Sequence, residues 1–499
     1  MTRRSIQSVR DQWITQSRLH FSDSQPRRVM EGLKIFFKSI TVEPVLLMYT
    51  MAIFLEMSIF QDLIRTKICF QETDLYNINL CEKLKNETLR IVQDQTNVWI
   101  QYYNLVLYTV AIISTLYIGS WSDKFNKKFP LLIPPLGSVL ACINSVVFSC
   151  FIFYFPLPVL LISGTISGLC GGTVAMITIT FSYLSSITTT EMRTKRMAFL
   201  EAMLFIGGMV GFYVGGAVLK VVGFANAFVL EICLHVAVVF YILFLIDDLK
   251  PQLSRDSERL NEETQHFCQK FFTIHHFTEV LQTVFKYRLG NRRLHIILFL
   301  LAGALLYYGL VVQVDLLFIF LTDEPLNWSQ SKYSSISALK LAVCGSGLLI
   351  GMPVLSRWFH VPDTFIGLVG TLSRGIGLAV LGFSTTSSMV YISAAIFVFS
   401  EIPIPAIKSV LSKLVEPDEK GKIFAFMSGI QNICFLTGSL IFNNLYPATA
   451  SFFKGFSFLL AALLQLFAVA VFVFVHRDMK IQHTNQASEL LTEPEDENA

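Results

Sequence analysis

The charges of this 499-residue chain are swept almost entirely into the gaps between about twelve apolar stretches of membrane-spanning length. A segment crossing about 30 Å of hydrocarbon needs roughly 20 apolar residues, and with no water to satisfy its backbone it must be helical. The sequence therefore predicts an all-α polytopic membrane protein of twelve transmembrane helices. The spans lie near 42–64, 99–121, 130–153, 157–181, 197–219, 224–246, 295–321, 333–355, 363–384, 389–410, 423–445 and 452–476. Composition excludes a single soluble core, since 53% of residues are hydrophobic, only 15% are charged, and the mean hydropathy is +0.56.

Lys and Arg beside the spans set the orientation. The basic segment 1–41 carries Arg3, Arg4, Arg10, Arg18, Arg27, Arg28, Lys34 and Lys38. The gaps after the second, fourth and tenth spans are also basic, through Lys124, Lys127 and Lys128, through Arg193, Lys195 and Arg196, and through Lys413, Lys420 and Lys422. Residues 154–156 and 385–388 carry no charge. Both termini are thus expected in the cytoplasm, and a first apolar run that begins near residue 42 behind a polar lead predicts no cleavable signal peptide. The mixed-charge stretch 247–294 reads as a cytoplasmic linker between two six-helix halves, 42–246 and 295–476. Residues 477–499 read as a disordered acidic cytoplasmic tail.

Six spans, a linker and six more resemble the layout of the major facilitator superfamily, whose halves rock about a midplane site. A local motif adds to this: Gly119-Ser-Trp-Ser-Asp123-Lys-Phe-Asn126-Lys127-Lys128, directly after the second span. It is similar to that superfamily's Gly-x-x-x-Asp-x-x-Gly-Arg-Arg/Lys loop, which implies a cytoplasmic gate formed by Gly119, Asp123, Lys127 and Lys128. Asn126 replaces the second glycine and tolerates a left-handed turn, while Lys127 keeps the charge of the Arg without its bidentate fork.

A narrower resemblance rests on Ile404-Pro-Ala-Ile-Lys408 through Gly421, on Ile441-Phe-Asn-Asn-Leu-Tyr-Pro447 and Lys454-Gly-Phe-Ser-Phe, and on Arg196-Met-Ala-Phe-Leu-Glu201-Ala with Gly223-Phe-Ala-Asn226. These resemble solute carrier family 46, the proton-coupled folate transporter family, over most of the chain. The resemblance implies that Glu201 takes the place of a proton-coupling glutamate, and that Lys408 falls where an arginine handles substrate and proton. It also shows departures. Leu169 stands for an aspartate, Leu310 for a histidine, and Asn327 for a cysteine that pairs with the first exofacial loop.

A charge inside a span costs a few kcal/mol, so it faces the bundle interior, a partner or water. Glu201, Glu231, Asp315, Lys340, Arg374, Glu401 and Lys408 meet this description. Arg374, near mid-span, fits either a contact with substrate or a structural salt bridge to Asp315 or Glu401. Glu201 and Lys408 lie nearer the cytoplasmic ends, where interfacial charge and a coupling role both fit. His235 reads as a packing residue or a proton relay. Proton coupling requires a carboxylate whose charge changes during the cycle, assigned to Glu201, and fixed cations that attract an anion, assigned to Arg374 and Lys408 with Asp315 and Glu401 beside them.

The loop from 65 to 98 holds Cys69, Cys81 and the sequon at Asn86. A Cys69–Cys81 bridge and two free thiols both fit the residues, and Asn86 is the expected glycosylation site. No His-Glu-x-x-His, Cys/His cluster or nucleophile motif is present, which argues against an enzyme and against a bound metal or cofactor; protons are the expected coupling ion. The expected function is secondary active transport of a small anionic organic solute across a lipid bilayer, without a nucleic-acid partner. The alternative is a non-transporting receptor or scaffold on a transporter fold. Plasma-membrane and endolysosomal residence both fit, and the oligomeric state is not legible.

Overall fold

The computed structural model describes residues 41–73, 87–124, 127–188, 190–248, 282–288, 290–352, 354–355, 361–416 and 419–492. Met1–Pro44 and Val45–Ala499 are separate units. In the first, the backbone N–H of Thr41 donates to the Glu43 carboxylate at 2.8 Å. The second contains the helical bundle.

Every regular element among the described residues is helical. In chain order they are α1 Glu43–Thr73, α2 Glu87–Lys124, α3 Lys128–Cys150, a 3₁₀ turn Leu157–Val159 leading into α4 Leu160–Leu169, α5 Gly172–Ile187 and α6 Thr190–Leu245. Then come α7 Arg292–Thr322, α8 Gln330–Ser346 with a π turn at Gly347–Gly351, α9 Asp363–Gly382, α10 Ser387–Ile396 with a 3₁₀ turn at Phe397–Phe399, α11 Pro403–Leu414, α12 Lys420–Ala450 and α13 Phe456–Thr492.

Nine helical segments among the described residues are long and apolar enough to cross a membrane. One of them, Phe199–Leu245, has 47 residues, about 70 Å at 1.5 Å per residue and roughly twice the hydrocarbon thickness. Gly223, with φ 75° and ψ 179°, divides it into two legs. With α2 and α12, which are long enough but more polar, the helices are consistent with the expected twelve spans. Large apolar side chains such as Ile113, Leu140, Phe240 and Phe467 are more than 50% exposed, as a lipid-facing surface requires.

Two regions run longer than their apolar lengths suggest. Helix α1 continues to Thr73 and α2 starts at Glu87, so much of the segment read as a loop is helical. Polar contacts support the overhang: Lys67 Nζ donates to the Ile152 carbonyl at 2.6 Å, and Gln95 donates to Glu72 at 2.6 Å. Helix α13 likewise continues to Thr492, where a disordered tail is expected. The extension beyond residue 476 is pinned where it begins, by His295 Nε2 against Asp478 Oδ2 at 2.7 Å and by Thr364 against His476 Nδ1 at 2.7 Å.

Where a span breaks, side chains from neighbours take up the freed backbone groups. The fourth span turns at Gly171, whose φ of 79° is left-handed and favours glycine. There Ser114 donates to the Gly168 carbonyl and Thr115 to the Gly171 carbonyl. The tenth span breaks between Phe399 and Pro403, because Pro403 and Pro405 lack backbone donors.

Each half packs mainly within itself. Helix α3 lies on α6, and α2 on α4 and α5; in the other half α13 lies on α9 and α7, and α7 on α12. The halves meet where α6 packs on α8 and α2 on α12. These pairings, fifth span with eighth and second with eleventh, are exchanged by a two-fold relation between halves. Against α6, helix α1 approaches so closely that a β-carbon at Gly207, Gly211 or Gly215 would collide with Leu47, Met51 or Ser58.

Candidate functional site

Among the described residues of the second half, Arg374 of α9 is one of the most deeply buried charges, 1% exposed. The broken tenth span supplies its partners. The Ser400 carbonyl lies outside both α10 and α11, and it accepts from Arg374 Nε at 3.0 Å and Nη2 at 2.6 Å. Nη1 donates to the Leu306 carbonyl of α7 at 3.0 Å, and Nη2 pairs with Glu401 Oε1 at 3.0 Å. The guanidinium thus joins three spans, and at Ser400 it does so through a carbonyl that a continuous helix would have consumed internally. The Glu401 side chain remains 23% exposed, so it is the face of this pair that solvent reaches.

Around that face lie further charges. Lys340 of α8 donates to Gln313 Oε1 and sits 4.9 Å from the centroid of the Phe397 ring; Glu401 and Arg374 are both within electrostatic range of it. Across the junction between halves, Glu201 of α6 is half-buried and feels the charges of Lys408 first and Glu401 second. Lys408, on α11, is exposed. The structure therefore brings Glu201, Lys408, Glu401, Arg374 and Lys340 into one group of alternating sign spanning α6, α8, α9 and α11.

Asp315 of α7 stands apart from that group. It is 1% exposed and accepts from Asn104 of α2 at 3.0 Å and from Asn443 of α12 at 2.9 Å. Asn104 also donates to Ser439 of α12 at 3.2 Å. Further bonds between halves lie toward the end of the bundle where α1 finishes and α2 begins. Gln61 donates to the Val314 carbonyl at 3.1 Å, Asn97 to the Asn443 carbonyl at 2.5 Å, Gln330 to the Ser58 carbonyl at 2.5 Å, and Ser331 to the Gly216 carbonyl at 2.9 Å. This polar layer ties the halves together at that end.

At the opposite end, Lys127 donates to the carbonyl and hydroxyl of Ser182 at 3.0 Å, near the end of α5. Lys128 donates to the Leu243 carbonyl at 2.9 Å, in the last turn of α6. Both cations therefore sit at helix C-termini, where the macrodipole favours them. Gly119 and Asp123 belong to α2, but their side-chain environment lies outside the described residues. So do Cys81 and Asn86; Cys69 itself is disulfide-bonded.

A second polar cluster is buried inside the first half. Cys142 Sγ of α3 donates to Glu231 Oε1 at 2.9 Å, and His235 Nε2 lies 3.5 Å from the same oxygen. Glu56 of α1 lies within electrostatic range of Glu231, and Tyr49 meets His235 edge-on at 5.2 Å between centroids. Glu231 and His235 are 0% exposed. Sequence reasoning named Glu231 and His235 separately, and could not bring Glu56 and Cys142 to them from other spans. It also passed over Asn104, Gln313, Ser439 and Asn443; polar residues amid apolar runs were the available signal.

The profile of the Major Facilitator Superfamily matches residues 100–439. The chain is 27% identical to the proton-coupled folate transporter of Bos taurus over 389 residues, 78% of this chain and 80% of that protein. It is 28% identical to the lysosomal proton-coupled steroid conjugate and bile acid symporter SLC46A3 of Homo sapiens over 408 residues, 80% of this chain and 85% of that one. Among solved structures, the human organic anion transporter MFSD10 superposes with a TM-score of 0.62 at 13% identity, covering 86% of this chain and 97% of the other. A POT peptide transporter bound to alafosfalin gives 0.56 at 14% identity, with 87% and 95% covered. At such identities the structural likeness speaks for the fold.

Proposed function

Because the chain belongs to the Major Facilitator Superfamily and is a membrane transporter rather than an enzyme, we propose that it is a proton-coupled symporter of a small organic anion, working by alternating access. The observation that carries this reading is the half-buried Glu201 facing the exposed Lys408 across the junction of the halves. With Glu201 ionised, the two charges offset one another and Lys408 is a weak anion site. A proton on the Glu201 carboxylate removes that competitor and leaves Lys408 to attract the solute's anionic group. Proton and anion then enter together, and the net charge of the junction is conserved while the halves rock.

In this scheme Lys408 makes the first contact with the anion. Glu401 and Arg374 set the field behind it, because Arg374 is enclosed by Ser400, Leu306 and Glu401. Asp315 serves the tie between halves, and Lys127 and Lys128 brace the gate loop. Relatives named for folate and for steroid conjugates and bile acids make those two solute classes the first probes. Cytoplasmic termini and residence in the plasma or endolysosomal membrane complete the proposal.

The test is uptake into proteoliposomes of a labelled folate and a labelled bile acid, with and without an inward proton gradient. Wild type is expected to accumulate one of them under the gradient. Glu201→Gln, which fixes the protonated form's charge, is expected to lose acid-driven accumulation while retaining solute exchange. An unchanged pH profile at normal abundance would refute coupling through Glu201 and favour facilitated diffusion. Absence of uptake above protein-free liposomes for a wide anion panel would favour the receptor reading.

A further inference from the structure

The buried cluster of the first half contains more polar atoms than its own hydrogen bonds satisfy. Both ring nitrogens of His235 and Oε2 of Glu231 are enclosed without a hydrogen-bond partner. A neutral imidazole carries one donor and one acceptor, and burying either unpaired is costly. Yet the same atoms form a compact donor set. One ligand atom each from Cys142, Glu231 and His235 lie within 4.8 Å of one another, and all three residues are buried. Glu56 of α1 and Tyr103 of α2 lie within electrostatic range of Glu231, and the Tyr49 ring packs edge-on against His235.

We propose that Cys142, Glu231 and His235 form a binding site for a borderline-soft divalent transition cation such as Zn²⁺, with Glu56 as a neighbouring carboxyl group. The chemistry of the set argues for that class. Sulfur, imidazole nitrogen and carboxylate oxygen are the zinc donors, whereas magnesium and calcium select oxygen alone. Tetrahedral zinc with ordinary bond lengths places its ligand atoms about 3.6 Å apart, so only small side-chain movements separate the present arrangement from a closed shell. Charge also balances. A dication with the Cys142 thiolate and the Glu231 carboxylate is neutral, and Glu56 can keep its proton, so the core acquires no net charge. Binding displaces the thiol proton to solvent. The ligands come from α3 and α6, so the ion would pin two spans of one half together, away from Glu201 and Lys408.

The test uses the full chain, purified in detergent micelles, stripped with a strong chelator and titrated with Zn²⁺ or Co²⁺. Wild type is expected to take up one equivalent, to show a thiolate-to-cobalt charge-transfer band with Co²⁺, and to unfold at a higher temperature once loaded. Cys142→Ser is expected to lose the band and at least tenfold in affinity, and His235→Gln to lose affinity comparably. A wild type without stoichiometric uptake or a charge-transfer band overturns the proposal, as does a band undiminished in Cys142→Ser. Should the variants fail to accumulate, X-ray absorption at the zinc edge of the wild-type protein reads the shell directly. One sulfur among nitrogen and oxygen supports the site, and any shell lacking sulfur or made only of it refutes it.

Discussion

Two buried polar clusters, one in each half, respond to the same solvent in opposite ways. In the second half, Arg374 directs Nε, Nη1 and Nη2 to two carbonyls and a carboxylate. In the first half, His235 has two ring nitrogens and no hydrogen bond for either. The difference traces to the backbone. Pro403 and Pro405 break the tenth span and free a carbonyl for Arg374, whereas α6 is an unbroken helix around Glu231 and His235 and consumes its own carbonyls. A buried charge is therefore accommodated here by unwinding a neighbouring helix, and where no helix unwinds the polar atoms stay unsatisfied unless a ligand supplies the missing bonds.

The largest expected effect tests the satisfied side. Arg374→Ala strands Glu401 beside an unpaired carbonyl and is expected to cost about 3–5 kcal/mol, the range for breaking a buried pair. Joint replacement of Arg374 and Glu401 by Met is expected to recover most of that loss, because an apolar pair leaves no charge uncompensated. Thermal unfolding of purified protein measures both. A double variant no better than Arg374→Ala would show that the carbonyl contacts, not the ion pair, hold the site together.

On the unsatisfied side the expected effect is smaller. In metal-stripped protein, His235→Phe should change stability by about 1 kcal/mol or less, since it removes polar atoms that lack partners. The same unfolding assay, repeated after zinc loading, should open a gap between wild type and variant. A stripped-state loss as large as that of Arg374→Ala would mean that His235 is bonded after all, and the contrast between halves would fall.

A third cluster gives the reference for pairing near water. Glu419 takes Lys286 Nζ at 2.7 Å and Arg288 Nη2 at 2.9 Å. Burial raises its carboxyl, but the hydrogen bonds from Lys286 and Arg288 outweigh that and hold it down at about 2, below the ordinary value of about 4.3. A carboxylate depressed on folding contributes stability that is complete above its unfolded value and lost as pH falls toward its folded one. Wild type is thus expected to lose stability relative to Glu419→Gln between about pH 4.3 and about pH 2, with the difference reduced by salt because Lys286 is exposed. A constant difference across that window would remove Glu419 from the ion-pair account.

How much of this was legible in the sequence follows from range. The spans were readable because each is a local run of apolar residues; Arg374 and Glu401 were readable as span charges that demand partners, but a choice among substrate, Asp315 and Glu401 for Arg374 was not. The overhangs of α1 and α2 escaped the hydropathy reading, since a helix leaving the membrane can carry polar residues and still satisfy its backbone. The tie formed by Asp315, Asn104 and Asn443, and the meeting of Cys142 with Glu231, join residues 211 and 89 positions apart. Neither has a spacing signature, because the helices that carry them are brought together by packing alone.

The crossing of α1 and α6 through Gly207, Gly211 and Gly215 has a use in measurement. Helices interlocked so closely cannot slide past one another without tearing out side-chain contacts, so a pair of spin labels placed on their lipid-facing surfaces should report one unvarying separation at every stage of turnover. Such a pair is an internal ruler. Distances from α6 to α11 can be calibrated against it in the same sample, and the swing of one half against the other read without reference to any second structure.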